Sequence, residues 1–408
     1  MTRSLRRWAR AFARPGTPHK SSPESLPCSS PDTLLPGHPN RHVNPSDGAR
    51  PSSRHGARPT TRERVRRGRW PSLAGGVIPP ILALSACTGG GPSDLVSEDT
   101  AGRGPATTTL SLYAFSVAKS AFDKLITAYA ATAQGQGVSI QQSYGASGDQ
   151  SRKVAAGASA DIVDFSVEPD ITRLVDKKLV DADWNAGAHR GIPFGSVVVI
   201  AVRRGNPKGI HDWDDLLKPG IQVVTPNPFS SGSAKWNLLA PYAIKSEGGK
   251  NPAAGLAYLN ELVTQHIKTQ PGSGREATES FVQGTGDALL SYENEALFAE
   301  RSGDPIEHIL PSRTFRIDNP LAVLATGRHR AQAQAFVDFV YSPSAQDLLA
   351  KAGYRIANAS VAARYTTILP TPQKLWTIED LGGWKAVDSS LFAKGTGSIA
   401  AIYEKASS

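Results

Sequence analysis

The sequence predicts an α/β chain of two lobes with a ligand cleft between them. Three observations carry this expectation. The chain has 408 residues, more than a single core of about 250–300 residues accommodates. Short β-type runs alternate with helical ones from residue 110 onward, the pattern of parallel βαβ units. Three clusters of Ser and Gly each stand between a strand-like run and a helical one. In open α/β sheets, ligands bind beyond the carboxyl ends of such strands.

In chain order, "LSLYAF" (110–115) precedes a helix in "AKSAFDKLITAYAATA", "VSIQQSYG" (138–145) precedes "DQSRKVAAG", and "ADIVDFS" (160–166) precedes "ITRLVDKKLV". A long apolar run, "SVVVIAVRRG" (196–205), closes on Asn206 and Pro207. Then come "IQVVTPNP", the helices "SAKWNLLAPYAIKSEGG" and "PAAGLAYLNELVTQ", the short run "HIKTQ", and "DALLSYENEALFAE". The strand-like "DNPLAVLAT" (318–326) and the amphipathic helices "HRAQAQAFVDFVYS" and "SAQDLLAKAG" follow, and the aromatic-rich "LWTIEDLGGWKAVDSSLFAKG" packs outside as helix. Asp212 and its neighbours read as a helix cap.

The net charge of +9 is misleading as a whole-chain number. Residues 1–86 hold 15 of the 45 Lys and Arg and 4 of the 36 acids, leaving 30 basic and 32 acidic residues from Cys87 onward. The folded part is near neutral, so a nucleic-acid partner is not expected. Residues 1–64 are rich in Pro, Ser and Arg with almost no periodic apolar pattern, a composition that stays disordered. Arginines, an apolar run over 73–86 and Leu84-Ser85-Ala86 before Cys87 make a secretory signal over 65–86. Its last four residues resemble the lipobox of bacterial lipoproteins, which makes Cys87 the lipidated N-terminus and places the protein outside the cytoplasm, on the cell membrane. A start at Val65 would give a compact signal, so residues 1–64 are expected to be a start-site artefact. Residues 87–109, with "TGGGPSD", read as a flexible linker. The other cysteine, Cys28, precedes the signal, so the mature chain is expected to carry no disulfide.

The Ser- and Gly-rich turns carry the chemistry. Amides in the first helical turn have no intrahelical acceptor, and the helix dipole adds about half a positive charge there. Small residues leave those amides unobstructed and add hydroxyl donors, which makes an anion site. Ser147 and Gly148 open one such helix; Ser231, Gly232 and Ser233 open a second; Gly272, Ser273 and Gly274 lead into a third. Any one of them is also readable as ordinary serine N-capping, worth about 1 kcal/mol; three together point to a shared ligand. A hydrogen phosphate needs an acceptor for its proton, whereas sulfate needs only donors. No acid lies within the clusters, although Asp149 and Glu276 stand two residues beyond two of them, and Asp149 leaves the distinction open.

The motifs "SYGASGDQSRKV", "ADIVDFS", "RRGNPKGIHDWDDLLKPGIQVVTPNPFSSGSAKWN", "GDALLSYENEA", "GYRIANASVAARY" and "TIEDLGGW" resemble the sulfate- and thiosulfate-binding proteins of bacterial ABC importers over residues 110–401. The resemblance implies a type II periplasmic binding protein fold of two lobes, each a mostly parallel sheet flanked by helices. Residues 110–192 and 312–408 fall in lobe 1 and 193–311 in lobe 2. It also implies one sulfate held by neutral donors without a counter-ion, no cofactor, and delivery by a monomer to a permease with its ATPase. Position by position, it places ligand donors at Ser147 (hydroxyl and amide), Ser231, Gly232 and Ser233, Gly274 and Tyr292, with Ser116 on the first strand and Arg275 supporting from behind. Ser233 and Tyr292 depart from the family's glycine and tryptophan.

Thiosulfate, molybdate and phosphate remain alternatives within the same fold. A serine hydrolase is the enzyme alternative, since "GASGD" is half of a nucleophile elbow, but Asp149 occupies the position of its closing glycine. No His, Cys, Asp and Glu spacing suits a metal.

Overall fold

The computed structural model describes residues 108–407; Cys28, Cys87 and the signal segment lie outside them. Two sheets organise the described chain. The first has the order β10-β3-β1-β2, from β1 (Thr108–Phe115), β2 (Val138–Gly145), β3 (Ile162–Asp164) and β10 (Leu321–Val323). β1 pairs in parallel with β2 and β3, and β10 closes one edge antiparallel to β3. The parallel pairs need crossovers. These are α1 (Lys119–Ala130), between β1 and β2, and α2 (Ser147–Ala155), between β2 and β3; α3 (Glu168–Asp176) follows β3.

The second sheet runs β12-β9-β4-β7-β5-β6, with β8 and β11 also on β4. Its strands are β4 (Phe194–Arg203), β5 (Val223–Val224), β6 (Ile267–Thr269), β7 (Ala288–Tyr292), β8 (Ile306–Ile309), β9 (Arg313–Asn319), β11 (Arg355–Ile356) and β12 (Lys374–Trp376). Four helices belong to this stretch: α4 (Gly232–Lys245), α5 (Pro252–Glu261), α6 (Gly274–Val282) and α7 (Glu293–Arg301). α8 (Arg330–Val340) and α9 (Pro343–Lys351) come next, and Ser398–Ser407 forms the last helix.

The strand pairing departs from a mostly parallel plan in the second sheet. β4 is buried at all but its last residue, as a central strand must be, and β7, β8, β9 and β11 all pair with it antiparallel. Parallel pairing is confined to β5 with β6 and β7, and to β12 with β9. β9 and β12 come from the 312–408 segment that the sequence places with the first lobe, yet both are hydrogen-bonded into the second sheet. Pro320 explains the change of sheet: the strand-like run 318–326 breaks there into β9 and β10, each serving a different sheet.

Aromatic residues join the layers. Phe122 of α1 meets Phe194 at the start of β4 and Phe336 of α8, with centroids 6.2 and 6.3 Å apart, and Phe194 meets Tyr354 edge-on at 5.1 Å. All four are fully buried; such pairs add about 0.5–1.5 kcal/mol beyond their area. The C-terminal aromatics belong to the same core rather than to an outer layer, since Trp384 stacks edge-on to Trp236 at 4.6 Å.

β4 and β9 approach so closely at Gly195 that a Cβ there would lie 1.9 Å from the Ile317 carbonyl oxygen. Gly195→Ala should therefore push β9 off β4 and lower stability by about 1–3 kcal/mol, read as a lower urea midpoint. An unchanged midpoint would show that the strand pair yields without cost.

Candidate functional site

The three small-residue turns meet at one seam between the sheets. β2 ends at Gly145, Ala146 is extended, and Ser147 starts α2. On the other side, Ser231 is the extended residue before α4 and makes no side-chain cap. The turns touch: the Gly148 amide donates to the Ser230 carbonyl at 3.0 Å, and Trp236 Nε1 of α4 donates to the Ser166 carbonyl at 2.7 Å. The third turn arrives beside them. A Cβ on Gly274 would lie 2.8 Å from Ser233 Oγ and 3.1 Å from Val117 Cγ2, and the Arg275 amide faces Ser116 Oγ at 3.5 Å. Ser147, Ser231, Gly232, Ser233, Gly274, Tyr292 and Ser116 thus come together on this seam.

The glycines are required by crowding rather than by backbone angle. A Cβ on Gly232 would lie 2.8 Å from the Cβ of Ser166 and 3.0 Å from Val167 Cγ2. With no side chain in the way, the first-turn amides of α4 face the seam without intrahelical acceptors; in α6 the Ser273 hydroxyl caps the Glu276 amide at 3.3 Å and Ser116 Oγ faces the Arg275 amide. The Ser231 and Ser233 hydroxyls pair at 2.7 Å, so one of their two hydrogens remains to be donated outward.

One side chain behaves differently from the sequence expectation. The Ser147 hydroxyl donates to Asp170 Oδ2 at 2.6 Å and accepts from the Ser166 amide at 2.9 Å, so its hydrogen is engaged by a carboxylate and its backbone amide is the donor left. Arg275 points back to Glu295 of α7, 3.0 Å away, and lies over the Phe298 ring at 4.6 Å. Asp149 is half exposed and paired with Arg152 on the same helix, which takes it off the seam as a proton acceptor.

Sequence reasoning missed four residues here. Ser166 lies two residues beyond β3, with its hydroxyl 2.5 Å from the Tyr292 hydroxyl. Asp170 orients Ser147 and is paired with Arg173 at 2.8 Å. Asn319, at the end of β9, reaches the Ser166 carbonyl at 3.4 Å. Asp164 ends β3 fully buried, with both carboxylate oxygens unpartnered; desolvation holds its carboxyl well above the usual range. Strand alternation alone signals that Asp164 and Ser166 share a face; nothing local signals their partners. Burial likewise raises the Tyr292 phenol far above its ordinary value, which keeps it a hydrogen-bond donor.

A cavity of about 320 Å³ elsewhere, lined in part by His189, Arg190, Arg316 and Glu379, contains none of these turns. Two ion pairs line it, Arg190 with Glu379 at 2.9 Å and Arg316 with Asp318 at 2.8 Å. Among the described residues no group of three His, Cys, Asp or Glu side chains is placed to hold a metal, and no helix is long and apolar enough to cross a membrane.

Comparison with known proteins bears directly on this seam. The model of the bacterial extracellular solute-binding proteins matches residues 110–355. The chain belongs to this family. Among its relatives, the sulfate-binding protein of Synechococcus elongatus is 33% identical over 324 residues, 77% of this solute-binding protein and 91% of the relative. That of Salmonella typhimurium is 35% identical, covering 67% and 86%. The thiosulfate-binding protein of Pseudomonas aeruginosa is 33% identical, covering 64% and 81%. The solved sulfate-binding protein SubI of Mycobacterium tuberculosis H37Rv is 58% identical with a TM-score of 0.69, over 70% of this chain and 100% of that one. The solute-binding protein accordingly has the two-lobed type II fold, one sheet to each lobe.

Glu295, beneath the third turn, gives the seam a pH signature. Burial outweighs the nearby Arg275 and lifts its carboxyl to about 7 from 4.5. The folded form holds a proton that the unfolded chain releases. The resulting stabilisation is complete below pH 4.5 and is lost as pH rises through 7, by up to about 3 kcal/mol. Glu295→Gln should flatten the fall in stability over that window relative to the parent protein; identical slopes in denaturant titrations at each pH would rule this out.

Proposed function

We propose that the protein captures sulfate outside the cytoplasm and hands it to an ABC importer. The observation that carries this reading is the meeting, on one seam between the lobes, of three helix starts that bring amide and hydroxyl donors together. Those donors are the amides of Ser147, Gly232, Ser233 and Gly274 with the hydroxyls of Ser116 and of Ser231 or Ser233; Tyr292 contributes its hydroxyl to the same polar cluster. Arg152 of α2, Arg173 of α3, Lys235 near the start of α4 and Arg275 of α6 each face a carboxylate, so the ion is held by dipoles and hydrogen bonds rather than by a counter-ion. The names of the sulfate-binding relatives support the same ligand.

Sulfate fits better than hydrogen phosphate because Asp149 is turned outward and Asp170 is occupied by Ser147 and Arg173. A phosphate proton would find neither of these carboxylates free, and an unpaired buried donor costs about 1–3 kcal/mol. Thiosulfate, which also carries no proton, is the second reading, favoured by the thiosulfate-binding relatives. A hydrolytic role has less support, since Ser147 gives its hydrogen to a carboxylate rather than to an imidazole.

In this reading the anion bridges helix starts of both lobes and stabilises the closed arrangement. Cys87 carries the lipid that holds the protein, a monomer, at the outer face of the membrane, and the closed form docks on the permease; no step of chemistry is assigned to the binder itself.

Calorimetric titration with sulfate, thiosulfate, molybdate and phosphate should give the tightest, pH-insensitive binding for one of the two sulfur oxyanions. Gly232→Ala and Gly274→Ala should each abolish it or weaken it at least about tenfold, because the added methyl forces apart the contacts at 2.8 Å. Preference for phosphate, or glycine variants that bind like the parent, would refute the site.

A further inference from the structure

We propose that the cavity beside the strands that cross between the lobes is a second ligand site, and that it takes an organic monocation with an apolar body whose charged head pairs with Glu168. None of the small-residue turns lines this cavity, so its assignment does not depend on the anion-binding reading above.

The cavity, of about 320 Å³, lies where the chain passes from one sheet to the other. Gly195, near the start of β4, pairs with Asp318 of β9 on one side and with Arg355 of β11 on the other. Glu168 enters from the start of α3 in the first lobe, and Ile378, Glu379 and Trp384 of the C-terminal segment complete the wall. The apolar surface comes from Phe194, Ile317, Ile378 and Trp384, each buried in the protein. A space of this size and lining holds a small organic molecule rather than a lone ion, and two aromatic rings in its wall suit an arylalkyl body.

The head group follows from the charges of the wall. Three arginines line it, and each has a carboxylate: Arg190 meets Glu379 at 2.9 Å, Arg316 meets Asp318 at 2.8 Å, and Arg355 meets Glu293 at 2.8 Å. Glu168 is a fourth carboxylate, half-buried. Among the described residues it has no ion pair and no hydrogen bond to its carboxylate oxygens, and Arg190 acts on it only through space. Burial raises its carboxyl above the ordinary value; Arg190 opposes the shift, while Glu379 and Asp318 add to it. His189, also on the wall, is stacked on Tyr341 with ring centroids 5.4 Å apart. Three arginines against four carboxylates leave one negative charge without a partner, and a cation beside a carboxylate favours its ionised form. Among the described residues no group of three His, Cys, Asp or Glu side chains is placed to hold a metal. An ammonium on an apolar skeleton satisfies both the acid and the floor.

The test is calorimetry on the full chain at about pH 8, where an alkyl amine and a carboxylate are both ionised. The probes are tryptamine, tryptophol and indolepropionate, which share one skeleton and end in a cation, a neutral hydroxyl and an anion. Tryptamine should bind, tryptophol at least about tenfold more weakly, and indolepropionate not measurably. Glu168→Gln should weaken tryptamine by about the same factor and leave tryptophol unchanged, a selective loss that a merely structural Glu168 would not produce. Amide chemical shifts of the parent locate the ligand even if the variant does not fold. Changes at Glu168, Gly195 and Ile378 on adding tryptamine support the cavity, and changes confined to other residues overturn it. A parent that binds no tryptamine, a parent that binds indolepropionate as tightly, or a Glu168→Gln protein that binds tryptamine like the parent would each overturn the assignment.

Discussion

The peptide group of Ser166 is the point on which the seam depends. Its carbonyl lies at the end of the first sheet yet accepts from an indole on α4 and from Asn319 at the end of β9, while its amide supports Ser147 on α2. A buried carbonyl without a partner costs about 1–3 kcal/mol, so separating the lobes here must be offset by water or by other donors. In the proposed function, closure and site assembly are for this reason one event. The bonds that bring α2 and α4 together are the ones that bring their first-turn amides to a common space.

Electrostatics in that space follow from how the surrounding charges are arranged. Charges at the helix starts have partners on the protein: Asp149 pairs with Arg152, Asp170 pairs with Arg173, and Glu276 accepts from the Gly272 amide at 2.9 Å. Asp164 carries both oxygens unpartnered, and desolvation holds its carboxyl well above the usual range. An ionised carboxylate there would oppose a bound anion at low effective dielectric. What the seam offers an incoming dianion is oriented dipoles rather than an unpaired cation. Such a site selects by the number and direction of donors, and salt screens it less than it would an exposed cationic patch.

Much of this was legible in the sequence and some of it could not have been. β2 is the run 138–145 as read, and Ser147, Gly232 and Gly274 open helices as the small-residue clusters suggest. The cap at Asp212 closes as a reciprocal pair with Asp215. Local chemistry determines these features, so a local reading finds them. β8, β11 and β12 are short and defined by what they pair with, mainly β4, and no periodicity over two to four residues announces them. Ser166 and Asn319 are 153 residues apart, and their contact is set by a break at Pro320 that looks in sequence like an interruption of one strand. Ser147 shows the limit of transferring a role by position: its place is as expected, but Asp170, 23 residues on, takes its hydrogen.

The central claim is that helix starts from both lobes converge on one anion. Amide chemical shifts followed during a sulfate titration test it most directly. The account predicts that Ser147, Gly232, Ser233 and Gly274 shift together with a single affinity. Shifts confined to the helices of one lobe, or two sets with different affinities, would contradict it.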